Sequence, residues 1–85
     1  MKNDGFIYKP YGNEEGWRVG DLVMFDPFAG RYAEWFGGRM AEIESMAYAS
    51  DGKLHFRVRW LVPVPYHGRV ATISDFGASN FVKPE

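Results

Sequence analysis

The pair Asp51-Gly52 constrains this chain more than any other feature. It stands between two runs, 45–50 and 53–62, whose side chains alternate in polarity. A type I′ turn needs φ > 0 at both central residues, and Asp-Gly tolerates that, so the spacing predicts a two-residue hairpin. Such a turn fixes a register in which Ser50 faces Lys53, Tyr48 faces His55, Met46 faces Arg57, Glu44 faces Arg59 and Ile43 faces Trp60. One face then collects Ala41, Ile43, Ala47, Leu54, Phe56, Val58, Trp60 and Val62 and reads as core. The other collects Glu42, Glu44, Met46, Tyr48, His55, Arg57 and Arg59 and reads as solvent, with opposite charges paired across the strands.

The remaining elements follow from this frame. Residues 17–25, WRVGDLVMF, read as a first strand that Asp26-Pro27 ends, since proline cannot donate to a ladder. Residues 26–38 read as a long loop, and loops longer than about 12 residues in compact domains are often functional. The segment 63–68, PVPYHG, reads as a connector, and 69–74 as a fourth strand. Residues 75–79 suit one helical turn capped by Ser74 or Asp75, before a short last strand at 80–83. Pro10, Gly12 and Gly16 interrupt residues 1–16, which read as an irregular arm ahead of a domain over 17–85. The predicted core joins Leu54, Phe56, Val58 and Trp60 to Val23 or Phe25, Ile43 and Phe81.

An 85-residue chain makes one domain with a small core. Seven Phe, five Tyr and three Trp are more rings than that core needs, so some are expected at the surface. The net charge of −1 gives no bulk basic field for non-specific binding to nucleic acid or membrane. Cysteine is absent, which excludes disulfides and thiolate chemistry. No apolar run is long enough for a transmembrane helix and the opening residues lack a signal-peptide core, so a cytoplasmic protein is expected.

Five short strands, a long first loop, a tight central hairpin and a helical turn before the last strand describe an all-β, five-stranded SH3-like barrel. In VGDLVMF, FRVRWL and SDFGASNFVKP the chain resembles the Tudor, KOW and other SH3-like small barrels over roughly residues 17–84. The closing HGRVATISDFGASNFV is also similar to small proteins of tailed bacteriophages, which implies a host cytoplasm. The resemblance implies an interaction module more often than an enzyme. The first hairpin lacks a clear KOW-type glycine motif, and the surface is not basic.

The aromatic loop supplies the first candidate site, Phe28, Tyr32, Trp35 and Phe36. Flat rings hold extended Pro-rich or methylated segments at low entropic cost. Two of the four are expected to cap the core, with Tyr32 and Trp35 the best suited to exposure because each has a polar handle. If the 63–68 connector shares their rim, Tyr66 completes a groove with them. Arg39, Arg57, Arg59 and Arg69 form the alternative site, for nucleic acid, muted where Glu44 and Glu42 neutralise it. His55 and His67 have no Ser or carboxylate at a telling spacing, and no ligand cluster occurs, so no catalytic residue, metal or cofactor is expected. A protein partner is the favoured expectation.

Overall fold

The computed structural model describes residues 6–8, 13–14 and 16–84. The chain runs through strands β1 (Phe6–Tyr8), β2 (Asn13–Glu14), β3 (Trp17–Arg18) and β4 (Leu22–Phe25), one helical turn α1 (Ala33–Phe36), then β5 (Met40–Ala49), β6 (Leu54–Tyr66) and β7 (Arg69–Gly77). A 3₁₀ turn (Ala78–Asn80) leads into β8 (Phe81–Val82). The main sheet is antiparallel in the order β7-β6-β5-β4-β8, and β1 pairs with the far end of β5. Thus the described parts of the 1–16 arm include a strand docked on the sheet; the rest of the arm lies outside the described residues.

The hairpin between β5 and β6 forms where expected, with a different turn. The loop holds three residues, Ser50, Asp51 and Gly52, because the Ala49 amide donates to the Lys53 carbonyl at 2.9 Å and the Gly52 amide to the Ala49 carbonyl at 2.9 Å. Gly52 takes φ +84°, while Asp51 keeps an ordinary φ. This is a type I turn closed by a glycine bulge. The Asp51 side chain accepts the Lys53 amide at 2.9 Å, which favours this turn over the tighter one.

The extra loop residue shifts the register by one, so Tyr48 faces Leu54 and Met46 faces Phe56. A bulge at Glu44 then shifts it again, placing Ile43 opposite Val58, Glu42 opposite Arg59 and Ala41 opposite Trp60. Because a bulge reverses which side chains point inward, Met46 is buried beside Ala41 and Ile43, and Ala47 is only half-buried. The expected exposure of Met46 and burial of Ala47 are therefore exchanged. On β6 the expected core face holds: Leu54, Phe56, Val58 and Trp60 are buried with Val23, Phe25, Ile43 and Phe81.

The predicted connector 63–68 is instead the end of β6, with a turn of only His67 and Gly68. Both turn residues take positive φ, +53° and +75°, so the type I′ hairpin lies here. In a two-residue hairpin the flanking pair Tyr66–Arg69 carries the hydrogen bonds. Pro65, one residue back, therefore turns its nitrogen away from β7. Among the described residues β5 does not reach past Trp60, so the two prolines sit on a free edge, where a missing donor costs nothing. Between Arg59 and Val64 the pairing with β7 slips, and Val62, expected in the core, is 65% exposed.

Candidate partner-binding site

The loop 26–38 is folded onto the sheet by short-range bonds. The Asp26 carboxylate accepts the Phe28 amide at 2.9 Å, and the Asp26 carbonyl accepts the Ala29 amide at 3.0 Å. The helical turn α1 follows, and its last residue, Phe36, enters the core. Phe36 stacks on Trp60 with ring centroids 5.0 Å apart and planes at 20°. It is 2% exposed, so of the four loop rings it is the one that caps the core. Trp60 is locked in turn by its indole N–H, which donates to the Ser74 hydroxyl at 2.9 Å. Ser74 and Asp75 lie in β7 and do not cap a helical turn; the 3₁₀ turn has no side-chain cap.

Once Phe36 is anchored, the neighbouring rings have only the rim of the sheet left to occupy. Tyr32 is 42% exposed and Trp35 half-buried. The β6–β7 hairpin meets them there. Tyr66 lies 6.2 Å from Tyr32 and packs edge-on to Trp35 at 5.1 Å. His67 packs on Trp35 at 4.9 Å and on Tyr66 at 4.3 Å. Beneath them Phe76 packs edge-on to Tyr32 at 5.5 Å and to Phe36 at 5.2 Å. The structure therefore brings Tyr32, Trp35 and Tyr66 together at one rim, although Trp35, expected to be exposed, is half-buried. Phe28, 91% exposed, makes no ring contact among the described residues.

A groove of about 530 Å³ opens beside the rim, walled by Tyr32, Tyr66, Phe36, Phe76 and Ile73, with Asp75 at its border. The Tyr66 hydroxyl is held above the ordinary phenol range, chiefly by desolvation and next by the neighbouring Tyr32. A second cleft of about 680 Å³ lies between residues 51–55 and 77–81, with Trp17 on one wall. Lys83 closes over that tryptophan at 5.2 Å and donates to the Gly16 carbonyl at 2.8 Å.

The four arginines do not form one surface. Arg57 makes two bonds to Asp75, at 2.8 and 3.0 Å, and this hydrogen bonding holds the Asp75 carboxyl below its usual range. Arg59 pairs with Glu44, although Glu42 is its register partner. Arg57, expected to face Met46, thus takes its ion-pair partner from β7 rather than from β5. Arg39 closes the long loop, its amide donating to Phe36 and its carbonyl accepting from Phe25. Arg69 stands on the rim hairpin, opposite Tyr66.

Sequence reasoning missed Phe76 as part of the rim, and it read His67 as part of a connector rather than of a tight turn. The pair His67-Gly68 held the signal for the turn, since histidine is among the residues that tolerate positive φ. Among the described residues no cluster of His, Asp and Glu could hold a metal ion, and no helix is long and apolar enough to cross a membrane. No family model, curated protein or solved structure matches the chain.

Proposed function

We propose that this chain is a small SH3-like module that captures an extended segment of another protein at its aromatic rim. The strand order supports the fold part of this reading. The last strand lies beside β4, a 3₁₀ turn precedes it, and β4 to β7 follow one another across the sheet. The observation that carries the function is the meeting of Tyr32, Trp35 and Tyr66 at one rim, from segments some thirty residues apart in the chain, with Tyr32 and Tyr66 also walling a groove. Partly exposed Tyr and Trp rings with a desolvated floor are what interface hot spots are made of. Nucleic-acid binding through Arg39, Arg57, Arg59 and Arg69 has less support, because Arg57 and Arg59 are already committed to carboxylates.

The reading is tested by selecting a displayed library of random decapeptides on the full chain. Enriched peptides are expected to bind the Trp35→Ala variant at least about 30-fold more weakly, the loss of one hot-spot residue. A library that yields no enriched peptides, or peptides indifferent to Trp35, overturns it.

A further inference from the structure

We infer that the segment bound at the rim is acidic, an apolar or aromatic anchor flanked by Asp or Glu that pair with Arg31 and Arg69. This rests on the rim being the binding site and adds the charge of its partner.

The distribution of committed and uncommitted cations carries the inference. Arg57 and Arg59 are in ion pairs, and Lys83 is bound to Gly16 and laid over Trp17. Arg31 and Arg69, like Arg18, Arg39 and Lys53, are exposed and, among the described residues, make no ion pair; Arg31 and Arg69 are the two that adjoin Tyr32 and Tyr66. Both belong to the segments that build the rim. Arg31 immediately precedes Tyr32, and its charge is felt at the Tyr66 hydroxyl. Arg69 is the register partner of Tyr66 across the two-residue turn, so the two side chains leave the same face with β-carbons about 5 Å apart. One arginine thus adjoins Tyr32 in the chain and the other lies across the turn from Tyr66. Glu34 is the one carboxylate within 28–36 and 66–69, which leaves a local positive surplus in a chain of net charge −1.

An unpaired guanidinium has a fork geometry that matches a carboxylate. A lysine-rich or methylated cationic segment would meet two like charges, which discriminates against it. The groove, lined by Phe36, Ile73 and Phe76 and bordered by Asp75, whose charge Arg57 offsets, suits an apolar anchor between the acids. A nucleic-acid strand would need a longer track of free cations, since phosphate binding draws on many contacts at once. Arg57 and Arg59, which would extend such a track along β6, are already in ion pairs.

The test compares decapeptide selections on the full chain, on Arg31→Ala/Arg69→Ala and on Arg31→Glu/Arg69→Glu, with circular dichroism melts to show that each variant is folded. The parent chain is expected to enrich Asp and Glu around an apolar residue. The alanine variant should keep the apolar preference and lose the acidic one. The most enriched peptide, resynthesised, should lose about tenfold in affinity for each arginine removed. The charge-reversed variant should enrich Lys and Arg. Neutral, Pro-rich or basic peptides on the parent chain, or acidic enrichment that survives removal of both arginines, overturn the inference. In either case loss of enrichment in Trp35→Ala would leave the rim itself standing, whereas enrichment indifferent to Trp35 would remove both. An oligo-dT strand that binds more tightly than the best peptide, and is released by the arginine substitutions, would assign the rim to nucleic acid instead.

Discussion

The two hairpins of β6 differ in nearly every respect that matters. The Ser50–Gly52 loop is three residues long, and the strands it joins frame the core. The His67-Gly68 loop is two residues long and carries Tyr66, His67 and Arg69 onto the rim. One turn therefore serves folding and the other serves the surface. The lesson concerns how a dipeptide is read. Asp51 satisfies its side chain by accepting the Lys53 amide, which needs the longer loop. His67 has no such local bond and instead spends its ring on Trp35 and Tyr66, in a backbone conformation that few residues accept.

The largest effect expected is on the strand that both hairpins share. Trp60→Ala removes the ring stacked on Phe36 and the bond to Ser74, and should cost roughly 3–5 kcal/mol. Chemical denaturation should show a domain that is largely unfolded. A near-native melt would show that the rim and the core are not joined through this ring.

Paired glycine substitutions sharpen the contrast. Gly52 and Gly68 both have positive φ, and a β-carbon at either meets open space, so only backbone strain is added. Gly52→Val and Gly68→Val should each destabilise by about 1–2 kcal/mol. Only Gly68→Val should also weaken binding of a selected peptide, because it disturbs the seat of Tyr66 and Arg69. Equal effects of both on binding would erase the division of labour. A smaller loss, about 0.5–1.5 kcal/mol, is expected for Asp51→Ala, which leaves the Lys53 amide without its side-chain acceptor.

The smallest effect is electrostatic. The folded state holds the Asp75 carboxyl below its unfolded value through Arg57, so its contribution is present above the unfolded value and fades as pH falls through the folded one. Both side chains are more than half exposed, so solvent screens the pair. Melting temperatures of the parent chain and Asp75→Asn should differ slightly at neutral pH and converge in acid. A gap that widens in acid would contradict the pairing.

Much of this architecture was legible in the residues. The alternation of Leu54, Phe56, Val58 and Trp60 marks the core side of β6 whatever the turn does, and these four are buried. Tyr32, Trp35 and Tyr66 were legible as a rim because one small core cannot absorb every ring. The register was not, because a one-residue difference in loop length and the bulge at Glu44 both depend on where β5 must bend to meet its neighbours. On one side β5 passes from β4 to β1, and the bulge lies between those two pairings. The end of β6 was hidden by its prolines, which forbid a central strand but not a free edge. The burial of Phe36 was not legible, because it is one residue from Trp35, and a helical turn sends adjacent side chains to different sides.

Amide chemical-shift mapping with the most enriched decapeptide tests the division between the two hairpins most directly. The account predicts shifts concentrated at residues 31–36 and 66–69, extending along 71–77, with residues 49–54 unmoved. Shifts centred on 51–55 and 78–81, at the cleft beside Trp17, would place the binding surface at the wrong hairpin and contradict it.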